Sequence, residues 1–420
     1  MSPDRPWLLS RRTTLAGLAA SSLVGPARAL GEDGAGPTFS PSGPNAEFYG
    51  ANENYPMRDS GLPFTPGNPL SPKYRVGAFS HFDELFPTRQ VQRATSPSTL
   101  KRDHAEMSEP LRVRVNDYLA RNPVTGLLIA RDDRILFERY QYGRTDRDRL
   151  ISQSMVKSIT GMLVGIAISE GAIKSVDDAA EKYVPGFKGT EYGRTPIRDL
   201  LHMSSGVEFG EEREGERDLN RLWIDMVAGS GKGTIGSITQ FDRRIAASGT
   251  KFHYASIEPD VLGLVLRYAT NKSLSDYLQE KLWQPIGAEA DAKWLLDAEG
   301  FEVAHFGFNA VLRDYARLGR LLAQDGAWDG GQIIPAQWMI DATTTRPSDA
   351  YLLPGKAMAD FGYGYLLWLI PGRRRQFAMF GAFGQRVFVD PASKLVLVQT
   401  AVEGSPEVLS LWSAVVERLG

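Results

Sequence analysis

Apolar positions alternate with polar ones in short stretches toward both ends of this chain, and recur at helical spacing between them. Leu127–Ala130 and Ile135–Tyr140, joined by the polar Arg131-Asp132-Asp133-Arg134, predict a hairpin of two half-buried strands. Ile159–Ile168 then reads as a long apolar helix that follows an irregular polar lead-in, Ile151-Ser152-Gln153. From Gly161 to about Glu280 the signals are helical or loop-like, as in Ile197–Met203 and Pro259–Tyr268. An amphipathic helix over Arg313–Gln324 ends at the glycine-rich turn Gly326–Gly331. Strands return at Tyr363–Ile370, Phe377–Phe380, Gln385–Asp390 and Leu395–Ala401, and Pro406–Leu419 closes the chain as a helix. Ahead of the hairpin lie a short helix within His81–Pro87, a longer one over Pro110–Ala120, and a Gly/Pro/Asn-rich arm or linker over residues 30–73. Strands at both ends and helices between predict an α/β (α+β) body built from residues 74–170 and 301–420, with a mostly helical domain, 171–300, inserted. The cleft between the two is the natural place for a site.

Composition narrows the function more than the fold. With 420 residues, 42% hydrophobic and 23% charged, the chain is ordinary globular protein, long enough for a sizeable core. Its formal net charge of -2 lacks the basic excess that a phosphate backbone demands, so a small molecule and not nucleic acid is the expected partner. Residues 1–29 have the form of an export signal of the twin-arginine type: Arg11-Arg12, the short apolar core Ala16–Val24, and Ala27-Arg28-Ala29 as a cleavage site. A periplasmic or secreted location follows as an expectation, with no stable membrane anchor, because no segment is long and apolar enough to span a bilayer. The absence of cysteine removes disulfides and thiolate chemistry. His81, His104, His202, His253 and His305 have no zinc-like spacing, so neither metal nor cofactor is expected. Ala228–Thr234 imitates a phosphate loop but has Gly233 where a serine or threonine must follow the lysine, and no Gly-x-Ser-x-Gly elbow is present.

The remaining candidate chemistry is a serine three residues before a lysine. These share a helix face, and at a helix start the first N–H groups and the positive dipole end suit a hydroxyl that becomes an alkoxide and then carries an oxyanion. Ser-x-x-Lys occurs three times, so spacing alone decides nothing. Ser98–Lys101 leads into a charged stretch that reads as a capped, solvent-facing helix, and Ser248–Lys251 contains a glycine and reads as a loop. Only Ser154–Lys157 opens a long apolar helix. A lysine acts as a base there only if burial or a cationic neighbour lowers its pKa.

Two later segments offer the other groups such chemistry needs. Tyr254-Ala255-Ser256 lies on a turn ahead of a helix and projects a phenol and a hydroxyl. Gly381-Ala382-Phe383-Gly384-Gln385 interrupts a strand with two glycines, which marks a bulge or a close backbone approach.

Together these motifs resemble the serine β-lactamase and penicillin-binding-protein superfamily, and within it the class C β-lactamase-like esterases and the 6-aminohexanoate-dimer hydrolases. Thr195–Gly206, Phe306–Asn309 with Arg313–Gly319, Gly384-Gln385 with Val389–Pro391, and Tyr74–Pro87 extend the resemblance over most of the chain from about Tyr74. It implies an antiparallel sheet flanked by helices, Ser154 as an acylated nucleophile, Lys157 and Tyr254 as acid and base, and the N–H groups of Ser154 and Ala382 as the oxyanion hole. Ser256, Phe383, Gly384 and Asn309 become candidate substrate contacts. The third motif departs from the family, because Ala382-Phe383-Gly384 stands where Lys-Thr-Gly or a histidine before glycine is usual. A β-lactam or D-Ala-D-Ala carboxylate then loses its cationic anchor unless Arg373-Arg374-Arg375 replaces it, and Phe383 suits an apolar group instead. Hydrolysis of esters or small amides is the leading expectation. A β-lactamase or D-alanyl-D-alanine carboxypeptidase is the alternative of like chemistry, and a non-catalytic binding member of the fold the alternative of another class.

Overall fold

The computed structural model describes residues 36–52, 70–211 and 218–420, so the expected leader lies outside the described residues. The first part runs through β1 (Thr38–Phe39), α1 (Arg75–Ser80), α2 (Phe82–Leu85), β2 (Thr88–Val91), β3 (Lys101–Arg102) and α3 (Glu109–Arg121). The hairpin β4 (Val124–Arg131) and β5 (Arg134–Tyr140) follows, then β6 (Leu150–Ile151) and α4 (Met155–Ser169). Short helices fill the middle: α5 (Glu191–Arg194), α6 (Ile197–Leu201), α7 (Asp218–Trp223) and α8 (Gly233–Thr239), then the longer α9 (Ile257–Thr270) and α10 (Leu274–Leu278). The last part holds β7 (Ala292–Leu295), β8 (Phe308–Ala310), α11 (Leu312–Ala323), the hairpin β9 (Ala327–Trp328) and β10 (Gly331–Gln332), and α12 (Ala336–Thr343). It ends with β11 (Gly362–Tyr363), β12 (Trp368–Ile370), β13 (Gln376–Gly381), β14 (Gln385–Asp390), β15 (Leu395–Ala401) and α13 (Glu407–Leu419).

Among the described residues the principal sheet has nine strands in the order β1-β5-β4-β15-β14-β13-β12-β11, with β3 also on the outer edge of β5. Its strands pair antiparallel except β1 and β3, which lie parallel to β5. The chain's two ends meet where β15 pairs with β4. Alternation along β14 shows how the layers stack: Val387 faces Gly319 of α11, whereas Phe388 stacks on Trp412 of α13 with centroids 5.5 Å apart. A second sheet, β2-β7-β8-β6, links the first part to the segment after the helical middle and sets Ile151 beside Asn309.

α4 is buried on nearly every side from Met155 to Ala167, as expected of a helix that is apolar all round. Each fully buried Val, Leu, Ile or Met in it contributes roughly 1.5–3 kcal/mol. Gly165 has a packing reason, since a Cβ there would meet the Trp338 ring at 2.5 Å. A separate apolar cluster joins Tyr49, Val76, Phe79, Phe82, Phe86 and Tyr142 to Ile151 and Val303, so the described part of the arm is docked on the body.

Two expectations need correction. The strand expected over Tyr363–Ile370 is a hairpin, β11 and β12, because Gly364 abuts the Ala342 carbonyl and Leu366 takes a left-handed φ of 55° to close the turn. The capped helix expected at Ser98 is also absent. Lys101 and Arg102 add a short strand along Arg134 and Ile135, and the Ser98 hydroxyl donates to the Ile286 carbonyl at 2.9 Å.

Candidate active site

Ser154 is the N-cap of α4, half-buried, and its neighbours fix its placement. The Ser152 N–H donates to the Phe308 carbonyl at 2.7 Å, tying the segment before the helix to β8, and the Met155 N–H donates to Ser152 O at 3.1 Å. Between them Gln153 adopts a left-handed φ of 47°. Phe383 does the same, at 59°, immediately after Ala382. Thus the two residues expected to supply oxyanion donors each adjoin a non-glycine residue in a conformation costing of order 1–3 kcal/mol, a kind of strain that concentrates at functional sites. They are also near in space, because a Cβ on Gly381 would lie 2.4 Å from Ser152 O and 2.9 Å from Gln153 Cβ. The first glycine of the broken strand is therefore explained by close backbone contact, and Gly384, at φ 89°, by the turn into β14.

Lys157 lies one turn along α4 and is 2% exposed. Its Nζ is 2.8 Å from Ser154 Oγ and 2.7 Å from the His305 carbonyl oxygen, and stands 5.2 Å from the centre of the Tyr254 ring. Tyr254, half-buried, arrives from the loop ahead of α9 and is held by stacking on Trp368 (5.7 Å) and an edge contact with Tyr363 (6.4 Å). The fold thus brings together the hydroxyl, amine and phenol singled out in the sequence. An amine at that distance can exchange a proton with the hydroxyl directly.

The expected substrate contacts fare differently. Ser256 is buried, and its hydroxyl donates to Glu211 Oε2 at 3.0 Å while its N–H donates to Oε1 of the same carboxylate. Glu211 therefore caps α9, and the hydroxyl expected to serve substrate has a partner already. Asn309 is fully buried in β8, where its amide nitrogen donates to the Gly307 carbonyl at 2.9 Å. The Phe383 ring packs 5.3 Å from Phe79 and 4.6 Å from the Arg75 guanidinium, so the apolar surface expected there is already seated on α1. Gly384 is buried, and its carbonyl accepts from Gln399 Nε2 at 2.9 Å.

The arginine turn does not stand in for the missing cation. Arg374 pairs with Asp390 at 2.6 Å and Arg375 with Asp325 at 2.6 Å, at the opposite end of β13 from Ala382, roughly 20 Å away at the usual rise per strand residue. The phosphate-loop imitation is likewise resolved, with Lys232 held by Asp225 at 2.7 Å and Gln240 at 2.8 Å.

Three residues of the site went unnoticed in the sequence. His305 contributes a backbone carbonyl, which leaves no signature in side-chain identity. Asp260 supports it: one carboxylate oxygen accepts from the Ala304 N–H at 2.9 Å and the other from His305 Nδ1 at 2.6 Å. Trp223, half-buried, meets Phe306 edge-on at 5.3 Å and carries the aromatic cluster up to the loop that holds His305.

Comparison with known proteins agrees with this architecture. The family model described as Beta-lactamase matches residues 114–408, more than half of the chain. A 6-aminohexanoate-dimer hydrolase of Paenarthrobacter ureafaciens is 27% identical over 371 residues, covering 84% of this chain and 91% of that protein. A solved Bacillus anthracis structure, provisionally named a 6-aminohexanoate-dimer hydrolase, superposes with a TM-score of 0.74 at 22% identity, covering 86% of this chain and 97% of its own. A family VIII carboxylesterase superposes with a TM-score of 0.58 at 18% identity, over 75% of this chain and 97% of its own. On its matched span and its sheet and helix order, the chain belongs to the beta-lactamase family, as a hydrolase-fold protein homologous to 6-aminohexanoate-dimer hydrolase.

Proposed function

We propose that this protein is an exported serine hydrolase that cleaves esters or small amides through an acyl-enzyme on Ser154. The observation that carries the reading is the buried Lys157 amine 2.8 Å from the Ser154 hydroxyl, at the start of an apolar helix. In the proposed reaction Ser154 Oγ attacks the acyl carbon as its proton moves to the Lys157–Tyr254 pair. The oxyanion is held by the N–H groups of Ser154 and Ala382, each worth about 100 to 1,000-fold in rate. Collapse expels the alcohol or amine, which takes the proton back from the same pair, and water then hydrolyses the acyl-serine with Lys157 or Tyr254 as base.

Charge around the site favours an uncharged group beside it over a β-lactam carboxylate. Ala382-Phe383-Gly384 carries no cation of its own, the Arg75 guanidinium beside Phe383 is paired with Glu403 at 2.7 Å, Arg386 donates to the Gly381 and Gln385 carbonyls, and Glu211 places a carboxylate two residues from Tyr254. A linear amide belongs in the substrate panel because of the relative named for the aminohexanoate dimer. The twin-arginine leader pattern motivates the proposed export, which secretion of the full-length chain with Arg11 and Arg12 intact, and its loss with both changed to lysine, would test. For the chemistry, the purified protein is assayed on p-nitrophenyl butyrate, a chromogenic cephalosporin and a linear aminohexanoate dimer. Release from the ester or the dimer, abolished by Ser154→Ala, is expected; turnover of the cephalosporin alone, or turnover that survives Ser154→Ala, would refute the reading.

A further inference from the structure

Lys157 is held between two elements that have no sequence proximity, the loop carrying His305 and the turn carrying Tyr254. The His305 carbonyl accepts from its Nζ at 2.7 Å, and the Tyr254 ring lies beside it at 5.2 Å. The two elements are fastened to one another by Asp260, which lies six residues beyond Tyr254 and within the first turns of α9. Its carboxylate grips consecutive residues of the other element, Ala304 through N–H at 2.9 Å and His305 through Nδ1 at 2.6 Å. Both Asp260 and His305 are 4% exposed, so the clamp is sheltered from competing water. Hydrogen bonds to a charged group are stronger and more directional than neutral ones, and two of them from one carboxylate fix both the position and the rotation of the loop.

We propose that Asp260 is a positioning residue for the reaction, a strut that holds the His305 carbonyl and the Tyr254 phenol in register around the Lys157 amine. Its own hydrogen bonds run to Ala304 and His305, and it acts through them. Without the strut the loop can move its carbonyl relative to α9, and the amine follows or loses an acceptor, so that Lys157 no longer stays within proton-transfer distance of Ser154. A misplacement of about 1 Å at a reacting group costs on the order of 100-fold in rate. This inference rests on the Ser154 acyl-enzyme proposed above.

The test uses the full chain with Asp260→Ala and Asp260→Asn. Asparagine can keep the geometry without the charge, since its oxygen accepts from the Ala304 N–H and its amide donates to Nδ1 of the other histidine tautomer. Three quantities are measured: kcat and KM on p-nitrophenyl butyrate, the rate at which a fluorophosphonate labels Ser154, and thermal unfolding as a check that each variant is folded. For Asp260→Ala, kcat and labelling rate should fall by about 100-fold with KM within about twofold of the parent, whereas Asp260→Asn should recover most of the rate. Should the alanine variant not fold, the asparagine variant carries the test alone. Equal losses of kcat in a folded asparagine variant would mean that charge and not geometry matters, and would overturn the proposal. So would parental kcat in Asp260→Ala, or a loss confined to KM. If the parent turns over none of the esters or amides, the proposed substrate class fails, and the strut is still judged by labelling: equal labelling rates in parent and variants, or no label on Ser154 in any, would sink it.

Discussion

Ser154–Lys157 and Ser248–Lys251 have the same spacing and opposite surroundings. In the first, the lysine is buried on α4 with its amine on the serine hydroxyl and on the His305 carbonyl. In the second, the serine hydroxyl donates to Asp199 at 2.6 Å, Gly249 takes a φ of 71° that breaks any helix, and Lys251 is exposed. The third copy, at Ser98, is bound to a carbonyl while Lys101 pairs with Asp133 at 2.9 Å. Three residues of spacing therefore set an amine on a hydroxyl only where a helix holds both side chains on one face and a second acceptor holds the amine. The helix is local and readable from sequence, while the acceptor is supplied by a residue 148 positions away.

Changes at these serines break the comparison most sharply. Ser154→Ala should remove ester turnover by about 10,000-fold or more, measured as kcat/KM on p-nitrophenyl butyrate. Lys157→Met, close in volume and without the amine, should cost about 1,000-fold in kcat, with thermal unfolding measured beside it because the buried His305 carbonyl loses the amine it accepts from. Tyr254→Phe keeps the stack on Trp368 and removes only the phenol, and a loss of about 100-fold is expected from the same assay. Parental rates in either variant would put the proton elsewhere.

The smallest effect is expected at the look-alike. Ser248→Ala should leave turnover unchanged and lower stability by about 1 kcal/mol in chemical unfolding at neutral pH, through the lost hydrogen bond to Asp199. Burial raises the Asp199 pKa and the Ser248 hydroxyl opposes that rise. A carboxyl with a raised folded pKa favours folding most below its unfolded value, near 3.8, and loses that contribution as pH rises through the folded value. The hydroxyl stabilises the charged form that exists above that window, so the cost of Ser248→Ala should grow with pH and shrink toward pH 4. A cost independent of pH would mean that the hydroxyl does not act on the carboxylate.

What the sequence made legible follows the same division between local and distant causes. The hairpin β4–β5, the helices α3, α4, α9 and α11, and the last three strands announce themselves by period. Ser154 and Lys157 are legible because one turn of helix sets their relation. Tyr254 is a candidate from its turn ahead of a helix, and only the family resemblance ties it to Ser154, because its own neighbours do not fix where the phenol points. Asp260 and His305 stayed hidden, since one acts through a carbonyl and the other through a contact 45 positions away. The partners of Ser256 and Asn309 were hidden for a related reason, because a polar side chain near a motif does not reveal that Glu211 or the Gly307 carbonyl engages it. The small sheet β2-β7-β8-β6 escaped notice because its strands are two to four residues long, too short to show alternation.

The central claim is that Lys157 makes Ser154, alone among the three look-alike serines, a nucleophile. The most direct test is acid quenching of the protein during p-nitrophenyl butyrate turnover, followed by peptide mapping by mass. A butyryl group on the peptide containing Ser154, lost in Lys157→Met, is the expected result. A butyryl group at Ser98 or Ser248, or adduct formation at Ser154 undiminished by loss of the amine, would contradict the account.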